Sequence, residues 1–498
     1  MKKYTLAIDQ GTTSTRAIIF NENFEIVSNN QKEFKQYFPK DGCVEHDPEE
    51  IWETVLETSK NAIEQAKISS SEIAGIGITN QRETTILWDK KNGQPVYKAI
   101  VWQDRRTVNY CNKLKDKNIG LVEKIQKITG LVLDSYFSAT KIKWIIDNIA
   151  SAKNLIEKNE LLFGTIDTWL LWKLTEGRSH FTEATNASRT MIYDIQKNEW
   201  SDELLNLFDI PKSILPEVKD SADNFGTTTL FGDEIPIGGI AGDQQAATIG
   251  QACFEPGSVK STYGTGCFML MNTGKNLRIS QNNLLSTIAY RINGETCYAL
   301  EGSIFIAGAA IQWLRDSLKV IKSAEETEEL YSQSDPSQQI YLVPAFVGLG
   351  APYWEGDARG SLFGMTRNTG IPELVKAAID SIAYQTKDLI IAMEKDSELK
   401  ISRLKVDGGM VKNEKFLQFL SNILITTCDR PVITETTALG AGYLSALQSG
   451  IIKNLNEIEA KWKSDKTFEP KLHKKEVKYL YNLWLKAVKG TLAVKNES

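Results

Sequence analysis

A strand–loop–strand unit that occurs near the start of each half is the feature that most constrains the fold of this 498-residue chain. Apolar strands at residues 4–8 and 17–20 flank a Gly/Thr loop at residues 9–13. A matching strand, Gly/Thr loop and strand follow at residues 258–271. The repeat is short, so alone it suggests a duplicated fold without establishing one.

The remaining pattern alternates strands with helices, which is typical of an α/β layer domain. We expect a third strand at 24–28 and a strand at 73–79. A helix is predicted to follow Asp47, with Pro48 in its first position and Glu50 as the far half of a capping box. Near the C-terminus the pattern predicts a strand at 403–406 and helices at 413–425 and 475–490. The domain boundary is placed near residues 250–257.

Composition and charge exclude several classes of protein. Lys and Arg number 58 against 63 Asp and Glu, a net charge of −5, which argues against non-specific binding to nucleic acid. The apolar stretch at 300–314 is interrupted by Glu301 and Gln312, so no stable membrane insertion is expected. The six cysteines form no CxxC pair and are expected to be reduced thiols in the cytoplasm. The sequence contains no GxxxxGK[ST] loop, HExxH helix or GxSxG elbow.

The first candidate ligand loop spans residues 9–16. Gly11 lets the backbone approach a ligand closely, so that neighbouring N–H groups can point at phosphate oxygens. Asp9 could hold a hydrated Mg²⁺. A polar hairpin turn uses the same residue types, but four consecutive hydroxyl residues beside an acid and an arginine favour phosphate binding. The hydroxyl donors and the cation of this loop include Thr12, Thr13, Ser14 and Arg16.

Asp243 follows an apolar strand and precedes small residues that open a helix. A carboxylate at such a strand end can accept a proton from an attacking hydroxyl. Helix capping is the ordinary alternative, and taken alone the segment favours it.

Three further features have both a ligand-binding and a structural interpretation. Paired glycines at 408–409, followed by Asn413, suit either a nucleoside or a tight strand-to-helix turn. Arg82 and Glu83 suit either neighbouring hydroxyls or a surface salt bridge. Trp102 and Phe268 are, by residue type alone, more typical of a core than of a ligand site.

The combination of two phosphate loops, a lone carboxylate and a hydroxyl-binding pair is typical of phosphoryl transfer to a polyol. The chain resembles the FGGY carbohydrate kinases, and within that family the members that act on glycerol. The resemblance spans nearly the whole chain and is carried by long, specific motifs: DQGTTSTRA (9–17), VEHDPEEIW (44–52), NQRETT (80–85), LDSYFSATKIKW (133–144), AGDQQAA (241–247), YGTGCFML (263–270), AGAAIQWLRD (307–316), VDGG (406–409) and TALGAGY (437–443).

The resemblance implies an α/β fold of two ribonuclease H-like domains, of the actin/hexokinase/Hsp70 type, separated by an interdomain cleft. Residues 1–251 would form the N-terminal domain, on the glycerol and phosphate-loop side, and residues 252–498 the adenine-binding C-terminal domain. The implied reaction is ATP-dependent phosphorylation of glycerol to sn-glycerol 3-phosphate, with Asp243 as general base. The implied cofactors are ATP and Mg²⁺, and the implied assembly is a cytoplasmic homodimer or homotetramer.

The resemblance also assigns site residues, position by position. The metal would be held by Asp243 and, through water, by Asp9. The glycerol ligands would be Arg82, Glu83, Trp102, Tyr136, Asp243, Gln244 and Phe268. The nucleotide ligands would be Thr12, Thr13, Ser14, Arg16, Thr265, Gly308, Gln312, Gly409 and Asn413.

Two alternative functions stay open. Another kinase of the same family, acting on a pentulose, erythritol or gluconate, would share most of these motifs. An actin- or Hsp70-like ATPase would share the fold, but it would lack the Arg-Glu pair beside an Asp base.

Overall fold

A computed structural model describes residues 2–117 and 119–494. The strands of the first half are β1 (Tyr4–Gln10), β2 (Ser14–Phe20), β3 (Ile26–Glu33), β4 (Glu45–His46), β5 (Ile73–Asn80), β6 (Ile86–Asp89), β7 (Ala99–Ile100), β8 (Leu161–Gly164), β9 (Phe181–Glu183), β10 (Tyr193–Asp194), β11 (Glu199–Trp200), β12 (Glu217–Lys219), β13 (Thr227–Thr228) and β14 (Ile235–Gly242). Its helices are α1 (Pro48–Ala66), α2 (Val108–Lys117), α3 (Leu121–Thr129), α4 (Ser138–Asn148), α5 (Ala150–Glu157), α6 (Ile166–Leu174), α7 (Ala184–Ala187), α8 (Asp202–Leu207) and α9 (Asp243–Gly250).

The second half has a similar order of elements. Its strands are β15 (Val259–Tyr263), β16 (Cys267–Gly274), β17 (Leu285–Ile292), β18 (Glu295–Ile304), β19 (Tyr341–Val343), β20 (Ser361–Phe363), β21 (Arg403–Asp407), β22 (Thr427–Pro431) and β23 (Ser464–Phe468). Its helices are α10 (Gly308–Gln312), α11 (Glu326–Gln333), α12 (Ile371–Ser397), α13 (Glu414–Leu424), α14 (Thr436–Ser449), α15 (Leu455–Lys461) and α16 (Lys474–Ala493).

The two central sheets share one topology. In the first sheet, β2 is antiparallel to both β1 and β3, and β5 and β14 continue parallel to β1. In the second, β18, β16 and β15 are antiparallel, and β21 and β22 continue parallel to β15. The duplication suggested by the two loops is therefore confirmed, because each loop joins the first two strands of the same five-strand motif.

Two helices cross from one half to the other. Helix α9 follows β14 of the first sheet, whereas α14 follows β22 of the second sheet but packs against β1, β5 and β14 of the first. Glycines allow the close approach: a Cβ on Gly440 would lie 1.8 Å from the Ala246 carbonyl oxygen, and one on Gly250 would lie 2.0 Å from that of Thr436. The chain thus joins its halves through a backbone-close helix pair, and a boundary at 251–252 stays a prediction.

Most predicted elements are present, with two corrections. Phe24 does not begin the third strand, because it adopts a left-handed backbone (φ 63°) in a turn closed by its N–H to the Asn21 carbonyl, 2.9 Å away. Helix α1 begins at Pro48, and Asp47 caps it by accepting from the Glu49 N–H at 3.0 Å. Glu50 does not complete a capping box; it accepts a hydrogen bond from the Tyr37 hydroxyl.

None of the helices in the described ranges combines the length and the apolar character that a membrane crossing requires.

Candidate active site

Arg82 and Glu83 lie in the turn that follows β5, at the carboxyl edge of the first sheet. Arg82 is buried, and its Nε lies 3.2 Å from Asp243 Oδ1. Glu83 has φ +60°, an uncommon conformation for a non-glycine residue. Its carbonyl oxygen accepts a hydrogen bond from Ser138 Oγ at 3.0 Å, which helps to hold the turn. The surface salt-bridge interpretation of this pair is wrong, because both side chains are buried.

Asp243 and Gln244 open helix α9. Gly242 occupies the cap position, so Asp243 is not the capping residue. Asp243 Oδ1 accepts from the Gln244 N–H at 2.8 Å, and Oδ2 accepts from Gln244 Nε2 at 3.2 Å. The Asp243 side chain is 32% exposed, whereas Arg82 beside it is 2% exposed. The carboxylate is therefore the part of this pair that a ligand in the cleft can reach.

Three aromatic rings lie beside the polar cluster, which consists of Arg82, Glu83, Asp243 and Gln244. The ring centroids of Trp102 and Tyr136 lie 5.6 Å apart, and those of Trp102 and Phe268 lie 6.4 Å apart. Trp102 and Phe268 are half-buried, so the core interpretation is wrong for both. Since Phe268 belongs to the second half, this aromatic wall is built from both sides of the cleft.

Each of the two Gly/Thr loops is closed by a backbone hydrogen bond from its first glycine, although the two turns differ in length. The Gly11 N–H donates to the Ser14 carbonyl at 2.9 Å, and the Gly264 N–H donates to the Gly266 carbonyl at 2.9 Å. The start of α10 packs on the second loop, where a Cβ on Gly308 would lie 2.7 Å from Gly264 O. Thr265 is exposed at the tip of this loop. The structure therefore brings Thr265 and Gly308 together.

A cavity of about 900 Å³ lies between the halves. Its walls include Arg16 from β2 and Gly409 from the turn after β21. A Cβ on Gly409 would meet no atom within 4 Å, so the backbone here is open to a flat ligand. Arg16 forms an ion pair with Glu435 across the cavity. The volume lies within the range of small-molecule sites.

For four other predicted nucleotide ligands, the structure shows either a hydrogen bond to a neighbouring protein group or an exposed position, and neither tests a role in nucleotide binding. Asn413 caps α13, because its Oδ1 accepts from the Phe416 N–H at 2.9 Å. Ser14 Oγ accepts from Gln31 Nε2 at 2.8 Å. Thr13 is exposed at the loop tip, and Gln312 is exposed at the end of α10. The roles of these residues stay predictions.

Asp9 is the last residue but one of β1. Burial raises the pKa of Asp9 to about 6, with Arg16 lowering it and Asp243 raising it further. The influence of Asp243 indicates that the two carboxylates share one region of the cleft, where like charges oppose ionisation.

Sequence reasoning missed three buried charged residues. Glu301 accepts hydrogen bonds from Arg82, Arg189 lies against Glu83, and Lys260 donates to Gln244 Oε1 at 2.5 Å. Burial lowers the pKa of Lys260. The available signal was a charged residue inside an apolar strand, since Lys260 and Glu301 interrupt β15 and β18.

Two ribonuclease H-like halves around a cleft with such a polar cluster have the architecture of two-domain carbohydrate kinases. Comparison with family models gives the same class: the N-terminal domain of the FGGY family of carbohydrate kinases matches residues 4–250, and its C-terminal domain matches residues 259–449. The chain belongs to the FGGY family of carbohydrate kinases.

The similarity to individual relatives extends over nearly the whole chain. A glycerol kinase of Sinorhizobium fredii is 58% identical over 496 residues, which cover 99% of each chain. Glycerol kinase 2 of Thermotoga maritima is 55% identical and covers 98% of this chain and 99% of its own length. Among solved structures, Plasmodium falciparum glycerol kinase with ADP superimposes with a TM-score of 0.93 at 38% identity and 98% coverage of both chains. A xylulose kinase of Lactobacillus acidophilus, 22% identical with a TM-score of 0.89, shares the fold over 99% of both chains.

Proposed function

We propose that this protein transfers the γ-phosphoryl group of ATP to glycerol and forms sn-glycerol 3-phosphate, the first step of glycerol catabolism. One observation carries the proposal: Arg82, Asp243 and the Trp102–Phe268 pair meet in the cleft, beside a loop suited to phosphate. The full-length similarity to glycerol kinases favours glycerol over a pentulose or gluconate as the acceptor.

Asp243 is the proposed general base. Its partly exposed carboxylate would accept the proton of the terminal hydroxyl as that oxygen attacks the γ-phosphorus in line. The Gln244 amide and Arg82 hold the carboxylate in place through contacts at 3.2 Å each. A positioned base of this kind contributes about 10²–10⁴-fold to a rate.

The remaining polyol ligands would select the substrate. Arg82 and Glu83 offer donors and acceptors at fixed positions, so they would decide which hydroxyl faces ATP. Tyr136, Trp102 and Phe268 would cover the carbon skeleton and exclude water from the reacting atoms. Burial raises the pKa of Tyr136 well above its usual value, so its hydroxyl stays protonated and can donate to the polyol.

The nucleotide would occupy the cavity between the halves. Thr12, Thr13 and Thr265 would contact its phosphates from the two loops, and Gly308 and Gly409 would line its adenine and ribose. Arg16 would have to exchange Glu435 for a phosphate oxygen. Closing the halves over both substrates would limit hydrolysis of ATP by water.

A magnesium ion fits the acidic groups of the cleft. Mg²⁺ is commonly held by one or two carboxylates, water and substrate phosphates, and Asp9 and Asp243 supply two neighbouring carboxylates whose mutual repulsion a cation would relieve. Within the described ranges no cluster of three or more His, Cys, Asp or Glu is arranged for a metal, so the nucleotide phosphates would complete the ligand set. When bound, Mg²⁺ would neutralise charge on the phosphates.

A phosphorylation assay across a polyol panel tests the function. We expect glycerol to be the preferred acceptor, with one ADP formed per glycerol phosphate and dependence on Mg²⁺. Preference for a pentulose, erythritol or gluconate would instead assign another activity of the family. Glycerol-independent ATPase activity without a phosphorylated product would favour the actin- or Hsp70-like alternative. We also propose that the protein acts in the cytoplasm, where ATP is available, as a homodimer or homotetramer.

A further inference from the structure

Glu301 is a buried carboxylate at the centre of the interface between the two halves. It lies in β18 of the second half, with 1% of its surface exposed, between Leu300 and Gly302. An isolated carboxylate in such surroundings would be strongly disfavoured. Its retention therefore calls for partners that compensate for the lost hydration.

Two arginines of the first half supply that compensation. Arg82 donates from Nη1 to Glu301 Oε2 at 2.5 Å and from Nη2 to Oε1 at 3.1 Å. Arg189 donates from Nη2 to Glu301 Oε1 at 3.0 Å. Burial opposes ionisation of Glu301, but the charges of Arg189 and Arg82 outweigh it and lower its pKa to about 2. Glu301 is thus ionised at any physiological pH.

Arg189 connects Glu301 to other residues of the proposed polyol site. Its Nε donates to Glu83 Oε1 at 2.6 Å, and its guanidinium lies 5.7 Å from the ring centroid of Tyr136. Arg82, Glu301, Arg189 and Glu83 therefore alternate in charge around a closed ring of contacts, in which Arg82 Nε is 3.8 Å from Glu83. Four proposed glycerol ligands belong to this ring or touch it: Arg82, Glu83, Tyr136 and Asp243.

The two-pronged contact fixes the plane of the Arg82 guanidinium. A guanidinium has five N–H donors in a rigid fork. Glu301 occupies the end of the fork, and Gln245 Oε1 accepts from Nη1 at 3.2 Å. The Nε edge is consequently turned toward Asp243, 3.2 Å away. A rotation of this plane would alter the donors presented to the polyol and the position of the carboxylate.

We propose that Glu301 and Arg189 are positioning residues for the polyol site, through which the second half sets the orientation of Arg82 and Glu83. The inference rests on the proposed function. Glycerol has two terminal hydroxyls that differ only in handedness, so a site that distinguishes them must hold its donors rigidly. The pair would therefore support both the affinity for glycerol and the choice of hydroxyl.

The substitution Glu301→Gln tests the proposal, because it keeps the shape of the side chain and removes its charge. Glu45 provides a matched control, because it is also a buried glutamate paired with an arginine. Its Oε1 accepts a hydrogen bond from Arg106 Nη2 at 2.7 Å, and neither residue has a proposed part in the site. We expect Glu301→Gln to raise KM for glycerol by about tenfold or more while KM for ATP changes by less than about threefold. We also expect a measurable fraction of sn-glycerol 1-phosphate, measured as the glycerol phosphate that a dehydrogenase specific for the 3-phosphate leaves unoxidised. Glu45→Gln should leave both quantities unchanged.

Arg189→Lys provides a second variant if Glu301→Gln fails to fold, since it keeps the charge and loses the fork. It should give the same KM split and the same loss of product handedness. Equal changes in both KM values, or enantiopure product with an unchanged KM for glycerol, would overturn the proposal. The wild-type enzyme is measured first, so absence of glycerol phosphorylation there would refute the proposed function separately.

Discussion

Trp102 donates a hydrogen bond from its indole Nε1 to Thr12 Oγ1 across 2.9 Å. The same indole faces Tyr136 and Phe268 on the proposed polyol side. Thr12 belongs to the loop between β1 and β2, on the proposed phosphate side. One side chain therefore touches both substrate regions, which gives a direct physical link between filling the polyol site and positioning the phosphate loop.

Trp102→Phe should loosen that link, because it keeps an aromatic ring and removes the hydrogen bond. A hydrogen bond of this kind is worth about 1 kcal/mol, so we expect kcat to fall by about fivefold. The ratio of ADP to glycerol phosphate should rise above one, as water competes for the mispositioned phosphate. Trp200→Phe, which removes an indole bond of 2.9 Å to the Pro216 carbonyl, is the control. An unchanged ratio in Trp102→Phe would contradict the link.

Asp243→Asn should largely abolish turnover, because the amide cannot accept the proton of the attacking hydroxyl. We expect kcat to fall by about 10²–10⁴-fold while nucleotide binding, measured by calorimetry, stays near that of the wild type. Asp223→Asn is the control and should leave kcat unchanged, because the Asp223 carboxylate pairs with Lys219 and has no proposed part in the site. Retention of more than about a tenth of kcat would exclude Asp243 as the base.

Structural features that depend on residues close together in the sequence could be predicted, whereas contacts between residues far apart in the sequence could not. The two Gly/Thr loops could be located because their turn chemistry is local, and their equivalence is visible in the strands they join, β1 with β2 and β15 with β16. The contact of Arg82 with Glu301 joins residues 219 positions apart. Only the association of the two halves brings these residues together, so no local sequence pattern predicts their contact.

Local signals can also mislead when a tertiary contact competes. Glu50 occupies the position of a capping-box residue, yet its carboxylate is taken by the Tyr37 hydroxyl. Phe24 has the apolar character of a strand residue, but its ring packs against Tyr443 of α14 at 4.5 Å, and its backbone turns to allow this. In both cases the preference of the local sequence is outweighed by packing with a segment elsewhere in the chain.

Gly440→Ala should destabilise the protein, although alanine normally favours a helix over glycine by about 1 kcal/mol. The added Cβ would lie 1.8 Å from the Ala246 carbonyl oxygen, so α9 and α14 would have to separate. We expect a loss of about 2–4 kcal/mol, seen as a lower melting temperature. Gly356→Ala is the control, because a Cβ there meets no atom within 4 Å. Stabilisation by Gly440→Ala would show that the crossing tolerates a larger separation.

Asp9→Asn should stabilise the protein at neutral pH while impairing its activity. Burial raises the pKa of Asp9 from 3.8 to about 6, so the folded protein binds this proton more tightly than the unfolded chain does. As pH rises from about 4 to 6, the free energy of unfolding therefore falls, and above pH 6 the full cost of the buried charge is present. Asparagine removes that cost, so without nucleotide or metal we expect the melting temperature to rise by about 2–4 °C at pH 7.5. The gain should vanish near pH 4, where Asp9 is protonated in both states. A gain of equal size at both pH values would contradict this origin. A loss at pH 7.5 would also contradict it and would show that Arg16 stabilises the Asp9 carboxylate more than burial opposes it.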